Sequence, residues 1–159
     1  MIVVSDTSPI LSLALIGRLE LLRDLYGAIM IPDAVRSEII ATGQGGAREV
    51  AQVAWIVTRP IDHDVVLKLL LREVDRGEAE AIRLALQSNA DILLIDERQA
   101  RHLAAYLELG VVGLLDVLQE AKQRQLITSV KPILDELIAR ARFRLSHKLY
   151  QRTLFTAGE

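Results

Sequence analysis

The chain has 159 residues, of which 51% are hydrophobic, 25% charged and 4% aromatic, a length and balance that suit one globular domain and exclude wholesale disorder. Nineteen Lys and Arg against 21 Asp and Glu leave a formal charge of -2. That balance excludes a strongly basic nucleic-acid coat, though not a local basic face.

Ile2–Ser5 is a short β-branched run and predicts a strand buried on both faces. Asp6 follows at once, Thr7 and Ser8 are good N-caps, and Pro9 suits a first helical turn. The pattern then predicts helix from Ile10 to about Tyr26, with a break at Gly17 and a stop at Gly27. Ala28–Ile31 reads as a second strand ended by Pro32. Pro32 or Asp33 opens a helix carrying Val35, Glu38, Ile39 and Ile40. Thr42–Gly46 reads as a flexible loop, followed by a helix from about Ala47 to Ala54 and an edge strand, Trp55–Thr58. Past Pro60, Asp62 or Asp64 caps a helix from about Val65 to Val74, and Gly77 separates it from an Ala-rich helix, Glu78–Gln87. Ile92–Ile95 is the clearest strand, four apolar residues between Asp91 and Asp96. A helix over Glu97–Glu108, a short strand at Val111–Val112, and helices at Leu114–Arg124, Lys131–Arg142 and Ser146–Leu154 complete the reading.

Apolar strands alternating with helices predict a three-layer α/β/α sandwich around a mainly parallel sheet. The expectation is a single domain over residues 1–159, with 129–159 as its C-terminal helical extension. Between Lys122 and Arg152 eight Lys and Arg face two acids, Asp135 and Glu136, so the remainder is correspondingly acidic. The absence of cysteine excludes a disulfide frame, a thiol nucleophile and Cys-ligated metal, and is compatible with a reducing compartment. The mean hydropathy of +0.28 is high. Yet Ile2–Val4, Ile10–Ile16 and Val65–Leu71 each stop well short of the ~20 residues of a membrane span, and the N-terminus does not read as a signal peptide. A cytoplasmic location is therefore expected, with the apolar excess spent on a dense core, a buried oligomer surface, or both.

In an open parallel sheet, ligands bind beyond the C-terminal ends of the strands. Asp6 and Asp96 each stand directly after a strongly apolar strand, so if those strands are neighbours two carboxylates meet at one edge. Glu78 sits at a predicted helix start and Glu38 in the helix after the second strand, so four acids from distant segments can converge. Such a group repels itself unless cations neutralise it. Oxygen-only ligands suit Mg²⁺ or Mn²⁺ rather than zinc. A pair of such ions about 3.5–4 Å apart activates water and stabilises the leaving oxygen in phosphodiester hydrolysis.

Read singly, these residues have plainer roles. Asp6 and Asp96 are each acceptable helix caps, and Glu38 and Glu78 acceptable solvated helix residues. His63, His102 and His147 are dispersed and read as surface or packing residues. Asp116 reads as a charge at a helix start. Thr42–Gly46 lacks the Lys-Ser/Thr of a phosphate loop. Arg98 and Arg101 face either a substrate phosphate or plain solvent, and the basic C-terminal stretch is either a solvated face or a path for an RNA backbone. The Leu-rich helices serve the core first, with any surplus apolar surface available to a dimer or a partner's helix.

Four segments, taken in order and spacing, carry a resemblance: Val4-Ser5-Asp6-Thr7-Ser8-Pro9, Ile31-Pro32-Asp33-Ala34-Val35-Arg36-Ser37-Glu38-Ile39, Gly77-Glu78-Ala79-Glu80-Ala81-Ile82 and Leu94-Ile95-Asp96-Glu97-Arg98-Gln99-Ala100-Arg101. They resemble the successive motifs of PIN-domain nucleases, most closely the VapC-like branch often described as nucleic-acid-binding proteins. The resemblance spans Met1 to about Leu126, and 129–137 also looks like that branch. It implies Mg²⁺- or Mn²⁺-dependent RNA cleavage. Asp6 and Asp96 would be the central metal ligands, Glu38 and Glu78 direct or water-mediated ligands, and Thr7 would orient Asp6 or a bound water. It further implies the toxin of a toxin–antitoxin pair, with a small antitoxin and a homodimer. The chain departs from the commoner pattern at Glu78, where many members carry Asp. Glu80 and Glu97 are rivals for that third place, although two residues apart on a helix face different ways and Glu97 should diverge from Asp96. Two other readings stand beside this one. The first is a non-catalytic nucleic-acid-binding or regulatory module on the same fold. The second, ranked lower, is a haloacid-type phosphatase, which would need a second Asp where Ser8 stands.

Overall fold

A computed structural model describes residues 1–43 and 45–159. Strand β1 (Val3–Ser5) has all three side chains buried. Successive strand residues point to opposite sides, so both faces of β1 are covered. Its neighbours are equally short: β2 (Ile29–Ile31), β3 (Ile56–Thr58), β4 (Ile92–Leu94) and β5 (Val111–Val112). All pair in parallel in the order β3-β2-β1-β4-β5. The predicted α/β architecture is therefore present, and β3 is an edge strand as expected. From β1 the chain works outward through β2 and β3, then returns to β1's other side for β4 and β5. The strand order reverses between β1 and β4, the point at which open α/β sheets hold their ligands.

Helices α1 (Thr7–Leu15) and α2 (Glu20–Tyr26) divide the predicted helical stretch at the expected break, and α1 begins three residues earlier than predicted. Gly17 breaks them apart at φ +70, a conformation that favours glycine. Helix α3 (Asp33–Ala41) follows β2. Helix α4 (Gly45–Gln52) begins earlier than expected and takes in two glycines assigned to a loop. Of that predicted loop, Gln44 lies outside the described residues. Gly46 packs closely on α1: an added Cβ would come within 3.0 Å of the Ala14 Cβ, so a larger residue would press α4 and α1 apart by a few tenths of an ångström. Helix α5 (Val65–Glu73) is capped by Asp64, whose carboxylate accepts the Leu67 N–H at 3.1 Å. Helix α6 (Arg76–Gln87) corrects the predicted start at Glu78. Gly77 does not separate two helices; it lies in the first turn of α6. Helices α7 (Arg98–Tyr106), α8 (Leu114–Gln123), α9 (Lys131–Arg140) and α10 (His147–Thr156) follow the expected order with slightly different ends.

The core is a continuous cluster that runs from Val3 and Val4 through Leu93 and Leu94 and takes in Leu134 and Leu137 of α9 and Leu154 of α10. Among the described residues, no helix is long and apolar enough to cross a membrane. The C-terminal helices are tied down by Glu159. Its carboxylate accepts from the Ser129 hydroxyl, from Lys122 Nζ at 2.9 Å, and from the N–H groups of Val130 at 2.7 Å and Lys131 at 3.1 Å. Burial raises the Glu159 pKa, but these four donors outweigh it and hold the group at about 2. The interaction caps the start of α9 from the far end of the chain. Glu159→Ala should therefore cost on the order of 1 kcal/mol, read as a lowered midpoint in thermal unfolding. Glu159 in the wild type contributes this stability above the ordinary carboxylate range and loses it as pH falls toward 2.

Candidate active site

Ser5 pairs with Leu94, and the Asp6 N–H donates to the Leu94 carbonyl at 2.9 Å. Asp6 thus stands one residue past β1, and Asp96 two residues past the adjacent β4. The expectation that these two strands are neighbours holds, and both acids lie at the same edge, where the strand order reverses.

Asp6 occupies the N-cap position of α1 but makes no side-chain cap bond, and it is only 5% exposed. Helix capping does not account for it. Burial pushes its pKa up to about 7; the Thr7 N–H pulls the other way, and the nearby Glu78, Asp75 and Glu38 push it further up. Thr7, expected to orient Asp6 or a bound water, meets Asp6 through its N–H, and its side chain goes elsewhere. Its hydroxyl donates to the Glu38 carboxylate, bringing the exposed Glu38 of α3 back toward the strand end. Gly77 makes room for this, because any Cβ there would collide with both Glu38 oxygens. Glu78, one residue on, is 7% exposed. Asp75 and Glu78 form a capping box: the Asp75 carboxylate accepts the Glu78 N–H at 2.9 Å, and Glu78 accepts the Asp75 N–H at 3.1 Å. Burial raises Glu78 to about 7; the Asp75 N–H opposes this, while the charges of Asp75 and Glu97 add to it. Asp75 is a member of this acidic group that sequence reading missed, although the Asp-x-x-Glu spacing of a capping box marked it.

Asp96 is held differently. Its Oδ1 accepts the Leu114 N–H, the first of α8, at 2.9 Å. Its Oδ2 is buried and has no hydrogen-bond partner. Burial raises its pKa, the Leu114 N–H and the Arg101 charge lower it, and Asp116 raises it again. Capping of α7 falls to Glu97, which accepts the Ala100 N–H at 2.9 Å, so the cap reading of Asp96 is also excluded. Arg101 donates to the Ile95 carbonyl at 3.1 Å and lies 3.8 Å from Asp116. Asp116 in turn accepts the Gly113 N–H at 2.9 Å. A Cβ on Gly113 would strike the Arg101 guanidinium and approach Asp96, so any larger residue there would displace Arg101.

A family model described as PIN domain (DUF3368) matches residues 2–159. The chain belongs to the PIN-domain family. The fold agrees with that of a PilT N-terminus domain protein from the hyperthermophilic archaeon Sulfolobus solfataricus P2. The TM-score is 0.56 at 20% identity, over 76% of this chain and 93% of that one. No curated protein matches the sequence. PIN domains are typically nucleases and usually use divalent metals.

The donors of this PIN domain are carboxylate oxygens, the type that suits a hard cation. The unpartnered Asp96 Oδ2 and the mutually repelling Asp6, Glu38 and Glu78 both fit such an ion. The residues are nevertheless arranged as two sets, one around Asp6 and one around Asp96. Among the described residues no three His, Cys, Asp or Glu side chains are grouped to hold a metal.

Glu78 and Glu80 differ in their contacts. Glu80 is only 4% exposed and turns to α3, where it accepts the Ala34 N–H at 3.2 Å while pairing with Arg76 at 2.9 Å. It clamps the start of α6 to the start of α3. Glu80→Ala should cost about 1–3 kcal/mol in urea unfolding, by stranding the Ala34 N–H, and should leave cleavage per folded molecule intact. Glu78→Gln should do the reverse, because Gln still closes the capping box but carries no charge.

Proposed function

We propose that this PIN domain is a Mg²⁺- or Mn²⁺-dependent endoribonuclease. The observation that carries the reading is the self-repelling group of buried Asp6 and Glu78 with the exposed Glu38 at the reversal of strand order, and the unsatisfied Asp96 oxygen at the same sheet edge. Asp6, Asp96, Glu38 and Glu78 would hold the cation. When bound, it would supply positive charge to the scissile phosphate and acidify the attacking water. The chain's own share is positional. Thr7 holds Glu38 and the Leu114 N–H holds Asp96. Asp6 and Glu78, with pKa values of about 7, would be partly protonated at neutral pH, and a bound cation would favour their ionised forms. Arg98 borders a pocket beside Asp96 and offers a contact to a flanking phosphate. Arg101 is already engaged and acts by steadying Asp96 and Asp116.

The decisive experiment is cleavage of a mixed panel of end-labelled RNAs with Mg²⁺, Mn²⁺ or EDTA, alongside Asp96→Asn protein purified identically. Metal-dependent cutting that disappears in the variant supports the reading; equal cutting by both proteins removes Asp96 from the site. The separation of the acids into two sets favours, as second reading, a non-catalytic RNA-binding module. Binding without cutting by either protein would select it. A toxin role in the cytoplasm, with a small antitoxin and a homodimer, completes the proposal. Val65, Leu69, Leu71 and Tyr106 are exposed on α5 and α7 and give an apolar surface for either partner.

A further inference from the structure

A pocket of about 590 Å³ opens at Asp96 and runs to the segment between α9 and α10. Its volume lies within the roughly 300–1,000 Å³ of small-ligand sites. Its lining divides by chemistry. Arg98 and His102 of α7 and Arg144 present cationic or hydrogen-bonding groups, Asp96 and Asp116 line it with carboxylates beside Arg101, and Phe143 and Leu145 present an apolar wall. Between Leu137 and Gly158 the chain has no acid, and Arg142, Arg144 and Lys148 are exposed with no ion pair among the described residues. Phe143 is half-buried and its backbone is fixed: Arg142 takes a left-handed φ of 55, and the Phe143 N–H donates to the Leu137 carbonyl at 3.0 Å. The backbone that carries the ring is therefore set in place before any ligand arrives, which lowers the ordering cost of binding. An aromatic ring among guanidinium groups is the chemistry that binds an unpaired base and its backbone.

We propose that this pocket holds one unpaired nucleotide of a single strand, its base stacked on Phe143 and its phosphate met by Arg144 and Arg98. The ligand class rests on the nuclease reading. The position beside Asp96 would make the bound nucleotide a neighbour of the cleaved bond.

The test is fluorescence anisotropy of the full chain in EDTA with a labelled six-nucleotide single-stranded RNA, the matching DNA, and the RNA duplex. Phe143→Leu keeps the apolar wall and removes the stacking face. It should weaken single-strand binding at least about fivefold, leave duplex binding unchanged, and be rescued by Phe143→Trp. Arg144→Gln, at an exposed position, should weaken binding and reduce the salt slope by about one. Preference for RNA or DNA identifies the sugar. Wild-type single-strand affinity in a Phe143→Leu protein with an unshifted thermal transition overturns the proposal. So does equal loss on the duplex, or no single-strand binding by the wild type. Cleavage with Mg²⁺ separates the two readings. Wild-type cutting that Phe143→Leu leaves unchanged removes the pocket and keeps the nuclease. Stacking-dependent binding without any cutting keeps the pocket and removes the nuclease.

Discussion

Asp6→Asn is expected to reduce RNA cleavage by at least about 10²–10³-fold and, in EDTA at pH 8, to raise the unfolding temperature. The two effects have one cause. The Asp6 carboxylate is buried among Glu78, Asp75 and Glu38, so its charge is held against both desolvation and repulsion. Asn has the same shape and no charge. Relief of the penalty should be on the order of 1–3 kcal/mol, several degrees for a chain of this size. Such a gain in stability at the expense of activity is the signature of a functional rather than structural carboxylate. A variant less stable than wild type in EDTA would instead make Asp6 a structural residue.

The second large effect is on pH. Asp6 and Glu78 both titrate near 7 in the folded protein and near the ordinary carboxylate range when unfolded. Below pH 4 both states are protonated and neither group matters. Between about 4 and 7 the unfolded chain has already lost these protons while the folded chain retains them, so their contribution to stability falls as pH rises. Above 7 the penalty is constant. A divalent cation binds only the ionised forms and must expel the remaining protons. Thermal scans should show little stabilisation by Mg²⁺ at pH 5.5 and clear stabilisation at pH 8, and cleavage should climb through pH 7. Asp6→Asn provides the control, because Glu159, Asp64 and Asp135 have lowered pKa values and act in the opposite sense. A Mg²⁺ shift of equal size at both pH values would remove Asp6 and Glu78 from the cation's surroundings.

Much of this arrangement is legible in the sequence because buried parallel strands leave a plain mark. Val3–Ser5 and Ile92–Leu94 are apolar or small throughout, and an acid standing just past such a run is conspicuous. Residues read by composition alone fared worse. Gly45 and Gly46 read as a loop, yet both are helical, and Gly46 packs closely on Ala14. Gly77 reads as a break, whereas its missing side chain is what admits Glu38. Asp75 was overlooked although its spacing from Glu78 is the local signature of a cap. The role of Glu80 needed a partner 46 residues away, the Ala34 N–H, which no local pattern encodes. Phe143 and Arg144 gain their meaning only from the pocket they share with α7.

The return of the chain from β3 to β4 also bears on folding. Asp6 and Asp96 are separated by some ninety residues, and they become neighbours only when β4 docks against the free side of β1. That pairing has high contact order and is therefore expected late among folding events. A nascent or interrupted chain ending before Ile92 would already hold Asp6, Glu38 and Glu78 but could not bring Asp96 beside them. On the proposed nuclease reading, the chain would lack one of its four carboxylates until β4 has been made and docked.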